Sequence, residues 1–269
     1  MFFIPHHHTY LMEKHNLISK IKEKKELSSL PDSFVQDALE EVLKKLQIQD
    51  LAVLKKAEQK IVIKEVRANL RRHTGMFQIS RKAWKARESL LAQGNYEDLL
   101  KTHTSTNERL TEYPKIKAMI ASFHPTSILD LGSGLNPIAL ATPEVQYYAV
   151  DIQEADLALV DQFFKAKGIS GKTIVKDLSK SLEGLPKADL CLCFKLLDIV
   201  EKKGHRQAEE ILKTISCKNF IISFSTTTLS GKPMLHKKRP WLERLLKRLH
   251  YLYTTQTIDN EVFYLIEKS

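Results

Sequence analysis

The sequence predicts an α/β protein in which an α-helical N-terminal domain, residues 1–102, precedes a domain of alternating strands and helices, residues 103–269. Two observations support this prediction. Apolar residues between 32 and 93 recur at helical spacing without strand-like alternation. From residue 127 onwards, short β-prone apolar runs are separated by helical patterns. The chain is long enough to bury one large core and a smaller second one.

The N-terminal domain is predicted to contain four helices, over residues 9–25, 32–46, 50–72 and 80–93, with a loose arm as the alternative for residues 9–25. Leu46 and Ile61 fall on the apolar faces of the second and third helices, so we expect both side chains to be buried. Further along, Ser105 and Glu108 have the spacing of a capping box, which predicts a helix start there.

The second domain is predicted to contain seven strands, over residues 127–131, 146–152, 173–175, 189–195, 219–225, 254–258 and 261–266. Four helices are predicted between them, over residues 137–141, 155–167, 204–215 and 240–251. Five strands that alternate with helices indicate a parallel sheet, and the last two strands form an antiparallel hairpin.

A glycine turn follows the first predicted strand, where Asp130 is followed by Gly132 and Gly134. Glycine permits positive φ and a close approach of a ligand, and the free N–H groups of such a turn suit a carboxylate or phosphate. Asp151 ends the second strand about 20 residues further on, where a carboxylate accepts the hydroxyls of a bound ribose. The pair therefore favours a nucleoside-bearing ligand over an ordinary strand-to-helix turn.

The formal net charge of +10 is concentrated in two segments, because residues 55–87 carry +9 and residues 232–250 carry +6. Such clustering is typical of proteins that bind nucleic acid, although a solvated helix face is the alternative for either segment. The residues that we expect to contact RNA are Arg67, Arg71, Arg72, Lys82, Lys85, Arg87 and Lys232.

Several other classes of protein are disfavoured by the composition. The chain has no apolar run that approaches 18 residues, and its start lacks the basic and apolar regions of a signal peptide, so we expect a cytoplasmic protein with no membrane partner. Cys191, Cys193 and Cys217 are expected to be reduced, buried thiols. His6, His7 and His8 have no nearby ligands, so no metal site is predicted.

Five motifs, taken together and in this order, resemble the 16S ribosomal RNA methyltransferases that confer aminoglycoside resistance, the Arm or FmrO family. They are residues 103–110 (HTSTNERL), the turn 130–137, residues 194–197 (FKLL) with Glu201, residues 223–231 (SFSTTTLSG) and residues 260–264 (NEVFY). The resemblance covers residues 100–269, and the basic helical N-terminal domain fits it in character only.

The resemblance implies a class I (Rossmann-like) methyltransferase fold, S-adenosyl-L-methionine (SAM) as the methyl donor, and a monomer that acts on 16S rRNA within the 30S subunit. The acceptor would be N7 of guanine 1405 in the decoding A-site. Lys195 and Glu201 would lie beside the target base as catalytic residues. The cofactor would be bound by Arg109, Asp130, Gly132, Gly134, Asp151, Ile152, Asp177, Leu178 and Phe194.

One departure from the family pattern concerns Asp198, which stands where the family commonly has proline after the FKLL motif. Two alternative functions remain open for the sequence. The acceptor could be another molecule, such as adenine N1 in the same rRNA region or a small compound. The chain could also be an RNA-binding protein with a decayed SAM pocket, although the intact Gly132, Gly134 and Asp151 argue against that reading.

Overall fold

The computed structural model describes residues 5–51, 53–73, 81–201, 204–228 and 232–268. The chain forms two compact units, Met1–Gln78 and Ile79–Ser269. This division differs from the predicted boundary after residue 102. The helix predicted over residues 80–93, α5 (Arg81–Ala92), packs on a helix that was not predicted, α6 (Tyr96–Lys101), and α5 contacts α10 (Glu154–Lys167), so both belong to the second unit.

Within its described residues, the first unit contains four helices: α1 (Pro5–Lys22), α2 (Lys25–Ser28), α3 (Asp32–Lys45) and α4 (Lys56–His73). Apolar residues at helical spacing form its core, and Val62, Val66 and Leu70 of α4 are fully buried. The predictions for Leu46 and Ile61 were wrong, since their exposed fractions are 37% and 54%. Ile61 precedes Val62 by one residue, and a rotation of about 100° per residue turns it away from the core.

The second unit continues with α7 (Thr104–Glu108) and α8 (Tyr113–Ala121) before the sheet begins. The predicted capping box is absent: His103 is the N-cap residue of α7, and the Ser105 hydroxyl lies 3.1 Å from His103 Nδ1. Thr106 instead ties this turn together, because its hydroxyl donates to the carbonyl of His103 at 3.0 Å and to that of Leu100.

The sheet has seven strands: β1 (Ser127–Leu131), β2 (Gln146–Asp151), β3 (Gly171–Val175), β4 (Ala188–Phe194), β5 (Cys217–Ser225), β6 (Leu252–Ile258) and β7 (Glu261–Glu267). All seven were predicted, with ends that differ by a few residues. Their order is β3-β2-β1-β4-β5-β7-β6, and β1 to β5 are parallel. The strand β7 is antiparallel to both β5 and β6.

Helices cover both faces of the sheet, as a parallel sheet requires. The short α9 (Asn136–Leu140) and α10 follow β1 and β2, whereas α11 (Leu197–Val200), α12 (Arg206–Thr214) and α13 (Pro240–Arg248) lie later in the chain. Alternate residues of β4 pack into the two apolar cores, one on each face of the sheet, so Cys191 and Cys193 lie on the same face. Both thiols are free and buried, as predicted, and so is that of Cys217.

Among the described residues, no helix combines the length and the apolar character needed to cross a lipid bilayer.

Candidate functional site

The candidate site lies at the carboxyl edge of the parallel strands. In an open α/β sheet, a crevice forms where the chain reverses its order of strand addition, and ligands bind there. Here the reversal falls between β1 and β4, which are neighbours in the sheet but are separated in sequence by β2 and β3. The residues that follow β1, β2, β3 and β4 therefore meet at one edge.

The turn after β1 requires glycine at two positions. Gly132 has a φ of +67° and Gly134 a φ of +48°, which L-residues adopt only at a cost. A Cβ at Gly132 would lie 2.9 Å from a methyl carbon of Leu196, and one at Gly134 would lie 3.1 Å from the ring of His103. The predicted need for glycine therefore has two causes, backbone conformation and close packing.

The amide groups of this turn bind β2. The N–H groups of Gly132 and Ser133 donate to the carbonyl of Val150 at 2.8 and 3.0 Å, and the N–H of Gly134 donates to Asp151 Oδ2 at 2.8 Å. The expectation that these amides are free for a ligand was therefore wrong. Their role is to fix the turn, and with it the Asp151 carboxylate, against the end of β2.

Asp130 lies beneath the turn with an exposed fraction of only 1%. The hydroxyl of Tyr147 donates to its Oδ2 at 2.9 Å, but its Oδ1 is buried without a hydrogen-bond partner. Burial raises the pKa of the Asp130 carboxyl to about 7, against the opposing hydrogen bond of Tyr147 and the charge of Arg109. A buried, half-satisfied carboxylate of this kind suits a cationic ligand group.

Two further acids follow the next strands. Asp151 Oδ1 accepts the N–H of Gln153 at 2.9 Å, and desolvation raises the pKa of the Asp151 carboxyl to about 6. Asp177 comes two residues after β3, and its Oδ1 accepts the N–H and the hydroxyl of Ser179 at 2.9 and 2.6 Å. Asp177 Oδ2 is buried without a hydrogen bond and lies 3.9 Å from the Lys180 ammonium.

Three apolar residues from the predicted set lie at or shortly after the ends of β2, β3 and β4. Ile152 is half-buried, directly after Asp151, whereas Leu178 is buried in the core on one face of the sheet. Phe194 ends β4 and packs edge-on against Phe263, with ring centroids 5.6 Å apart. Leu178 therefore supports the edge from within, and only Ile152 presents appreciable surface.

Arg109, the C-cap of α7, is buried and is already paired with an acid that the sequence did not identify as a site residue. Its Nε and Nη2 donate to the two carboxylate oxygens of Glu261 at 2.9 and 2.8 Å. Its Nη1 lies 3.4 Å from Asn136 Oδ1, which also accepts the hydroxyl of Tyr113 at 2.9 Å. The predicted anchor for a ligand carboxylate is therefore fixed by the protein itself.

Lys195 follows β4 in a left-handed conformation, with a φ of +54°. For a residue other than glycine this costs on the order of 1–3 kcal/mol, and such outliers often mark functional positions. Its N–H donates to the carbonyl of Ser223 at 3.1 Å, and its ammonium donates to Glu108 at 2.6 Å. The Lys195 side chain is thus held at the carboxyl edge of the sheet.

Glu201, the other predicted catalytic residue, makes a separate contact: its carboxylate accepts the N–H of Ala208, in the first turn of α12, at 3.1 Å. That contact is typical of an acid that stabilises a helix N-terminus. Asp198, in α11, accepts a hydrogen bond from Arg239 at 3.0 Å, which joins α11 to the residue before α13.

A basic groove of about 590 Å³ lies in the first unit, between α1 and α4. Its lining combines one acid, one isoleucine and six cationic side chains: Lys20, Glu23, Lys24, Lys60, Ile63, Lys64, Arg67 and Arg71. Arg67 also donates to the carbonyls of Lys20 and Ile21, and Arg71 pairs with Glu26 at 2.7 Å. The two predicted RNA contacts in this groove are therefore partly committed to holding it together.

Arg87 is a correction to the predicted RNA-binding set. Its exposed fraction is 2%, and its guanidinium donates to Asp156, at 2.5 Å, and to the side chain and carbonyl of Thr102. A buried arginine fully engaged in this way cannot reach a phosphate. Although Arg87 occurs in a basic run of the sequence, its side chain joins α5 to α10. No local sequence pattern reveals this contact.

The remaining RNA-binding predictions concern surface positions. Lys85 and Lys232 are both exposed, as phosphate contacts must be. The side chains of Arg72 and Lys82 lie outside the described residues.

Comparison with known proteins identifies the family. The profile described as "Ribosomal RNA methyltransferase (FmrO)" matches residues 63–265, about three quarters of the chain. The chain belongs to this family. Its members are enzymes, and the resemblance inferred from the five motifs is confirmed, together with the class I methyltransferase fold.

Curated relatives agree with this assignment. The chain is 29% identical, over 189 residues, to a 16S rRNA (guanine(1405)-N(7))-methyltransferase of Serratia marcescens, covering 69% of this chain and 75% of the relative. It is also 29% identical over 141 residues to a protein of the same name from Proteus mirabilis, covering half of each chain.

Solved structures show the same fold. The 16S rRNA methyltransferase RmtF, crystallised in complex with S-adenosyl-L-homocysteine, is similar with a TM-score of 0.81 and 25% identity over 96% of this chain and 98% of that one. The 16S rRNA methylase RmtB is similar in fold, with a TM-score of 0.75 and 23% identity over 95% of this chain and 98% of that one.

Proposed function

We propose that this ribosomal RNA methyltransferase transfers a methyl group from SAM to N7 of guanine 1405 of 16S rRNA, within the 30S subunit, and thereby confers aminoglycoside resistance. The observation that carries the proposal is the set of buried, incompletely bonded acids at the carboxyl edge of the sheet. The name shared by the curated relatives supports the choice of acceptor.

The fit of SAM to this edge can be tested on its unsatisfied atoms. Asp130 Oδ1, Ser133 Oγ and Asp177 Oδ2 are buried without a hydrogen-bond partner. SAM carries an ammonium group, ribose hydroxyls and an adenine amino group, all of which donate hydrogen bonds. We assign the ammonium to Asp130, the ribose hydroxyls to Asp151 and the adenine amino group to Asp177. Leaving such atoms unpaired costs about 1–3 kcal/mol each, which a donor-rich ligand recovers.

In this assignment, Arg109 binds the carboxylate of SAM. Glu261 occupies the Nε and Nη2 side of the guanidinium, and the end formed by Nη1 and Nη2 still has N–H groups that a second carboxylate can accept. When bound, SAM supplies an electrophilic methyl group on a sulfonium centre. The acids and Arg109 would hold its polar groups at the carboxyl edge of the sheet.

The protein has little proton chemistry to perform for an N7 acceptor. N7 of guanine has a free lone pair and is exposed in the major groove, so its attack needs no general base. Catalysis is then mainly a matter of alignment, which supplies up to about 7–11 kcal/mol in the best cases. We assign Lys195 to donate to guanine O6 and so orient the ring, with Glu108 holding its ammonium.

The methylated guanine carries a positive charge, which nearby carboxylates stabilise. Glu108 is within 2.6 Å of the Lys195 ammonium, and Glu261 Oε2 lies 3.8 Å from it, so the lysine charge is offset on both sides. The bond between Glu201 and α12 favours a supporting role for Glu201, which holds the loop after β4 in place.

Mapping of the methylated base tests this proposal. The 16S rRNA from bacteria that express the protein is treated with borohydride and aniline, which cleave at N7-methylguanine, and is then read by primer extension. We expect one new stop at guanine 1405, and no such stop in cells expressing the Asp151→Ala variant. The same cells should tolerate higher aminoglycoside concentrations than cells with the variant.

Two results would contradict the proposal. A stop at another guanine would reassign the acceptor. No stop at all, with tritiated methyl incorporated elsewhere in the rRNA, would point to a different base such as adenine N1.

A further inference from the structure

Glu261 is the first residue of β7, and the direction of that strand decides where its side chain lies. The strand is antiparallel to β5, with Glu261 opposite Ser225 at the end of β5. The start of β7 therefore meets the carboxyl ends of the parallel strands. Glu261 thus lies at the same edge of the sheet as the residues that follow the parallel strands. Its exposed fraction is 2%.

Among the described residues, the Glu261 carboxylate contacts Arg109, Ser223 and Lys195. It accepts two hydrogen bonds from Arg109, at 2.9 and 2.8 Å, and one from the hydroxyl of Ser223. The Lys195 ammonium lies 3.8 Å away. Burial alone would raise the pKa of Glu261, but the charge and hydrogen bonds of Arg109, with Lys195, lower it below its usual value. The group is an anion between two cations.

These contacts restrict Arg109 in a specific way. A guanidinium that is bonded through Nε and Nη2 cannot rotate about its last bond, so its plane is fixed. Asn136 holds the Nη1 side with a weaker contact of 3.4 Å. The end of the guanidinium formed by Nη1 and Nη2 is then presented in one orientation. A ligand carboxylate that binds there pays no cost for ordering the side chain.

We propose that Glu261 is the positioning residue that orients Arg109 for the carboxylate of the methyl donor. The inference rests on the proposed function, in which Arg109 binds that carboxylate. It assigns a role to an acid of the NEVFY motif that neither the turn nor the strand ends reveal. Glu261 itself touches Arg109, Ser223 and Lys195, and it acts on the ligand through Arg109.

A purely structural role for Glu261 makes a different prediction, since it would merely neutralise a buried arginine. Two ligands separate the two roles. S-Adenosyl-L-homocysteine contains the amino-acid carboxylate, whereas 5′-methylthioadenosine keeps the adenine and ribose but lacks the amino-acid group. A positioning role affects only the first ligand, while damage to the pocket affects both.

The experiment is calorimetric titration of both ligands into the full-length protein and its Glu261→Gln variant. We expect the variant to bind S-adenosyl-L-homocysteine at least tenfold more weakly and 5′-methylthioadenosine less than twofold more weakly. Glu267→Gln is the matched control: it makes the same change at the exposed end of β7, where Glu267 lies 3.4 Å from Lys218. This control should bind both ligands as the wild type does.

If Glu261→Gln does not fold, Glu261→Asp keeps the charge but withdraws the carboxylate by one methylene, and it should show the same selective loss. Equal weakening of both ligands, or no weakening of either, would overturn the inference while leaving the proposed function in place. Failure of the wild type to bind S-adenosyl-L-homocysteine would overturn both together.

Discussion

The two units of the protein use charged side chains in opposite ways. In the unit that contains the sheet, Arg109 and Glu261 are buried and joined by two hydrogen bonds, and Asp130 is buried with one oxygen unpaired. In the N-terminal unit, Lys60 and Lys64 are exposed along an open groove. The first arrangement is specific in geometry and intolerant of change. The second exposes positive charge along the groove.

The difference follows from the dielectric environment. A buried charge interacts strongly with its partner, and leaving it unpaired is costly. The buried acids at the carboxyl edge of the sheet therefore favour ligand groups that donate hydrogen bonds or carry positive charge. An exposed cation is screened by salt, and its contribution to RNA binding comes mainly from the release of counterions. Removal of a buried charge should therefore have a large and local effect, whereas removal of an exposed charge should have a small effect that depends on salt concentration.

The largest expected effect comes from Arg87, which belongs to the basic run in sequence but to the buried class in structure. Arg87→Ala leaves Asp156 buried without its cation, which costs about 3–5 kcal/mol. Lys85→Ala, two residues away and exposed, should change stability by less than about 0.5 kcal/mol. Trp84 and Trp241 both lie in the second unit, so urea unfolding followed by tryptophan fluorescence reports on it.

Equal stability of the Arg87→Ala and Lys85→Ala variants would break the comparison. It would mean that Arg87 behaves as a surface cation, and its place among the RNA contacts would be restored.

A smaller effect is expected in the groove. The double variant Lys60→Ala, Lys64→Ala should bind 30S subunits several-fold more weakly. The slope of the logarithm of the binding constant against the logarithm of salt concentration should be shallower by about 2. The expected cause is the loss of two cations that contact phosphates in the proposed complex. Binding is measured between 50 and 200 mM salt, roughly the range in which counterion release is resolved.

The matched control for the groove is Lys44→Ala, Lys45→Ala, which removes the same charge from the end of α3, outside the groove lining. Equal weakening by both pairs would mean that net charge, rather than this groove, attracts the subunit. SAM affinity should be unchanged in both.

The glycine turn after β1 and the acid at the end of β2 could be predicted because their signals are local. Gly132, Gly134 and Asp151 were recognised from a strand, a turn and a second strand end within about 20 residues. Even there the prediction failed on the turn amides, since their partners are the carbonyl of Val150 and the carboxylate of Asp151 on the neighbouring strand. All seven strands and the terminal hairpin followed from the apolar runs and the turn between the last two, but the place of β7 between β5 and β6 was not predicted.

The pairs that join distant segments could not be predicted. Arg109 and Glu261 are 152 residues apart, and only the insertion of β7 beside β5 brings them together. Arg87 and Asp156 are 69 residues apart, and Asp156 looks like an ordinary acid in the first turn of α10. A basic run in a sequence does not reveal which of its members has a buried partner elsewhere.

The most direct test of the account is the pH dependence of SAM binding, because the central claim is that buried acids at the sheet edge hold a cationic ligand. With a pKa of about 7 for Asp130 in the free protein, the carboxyl is mostly protonated at pH 5.5. A bound ammonium favours the ionised form, so affinity should rise with pH. The amino group of SAM stays largely protonated up to pH 7 and does not obscure the effect.

Calorimetric titration at pH 5.5 and pH 7 makes the measurement. The account predicts one SAM bound per chain, about tenfold more tightly at pH 7, and a reduced pH dependence in the Asp130→Asn variant, whose remaining dependence comes from Asp151. No binding at either pH, or an affinity that is the same at both and unaffected by Asp130→Asn, would contradict it.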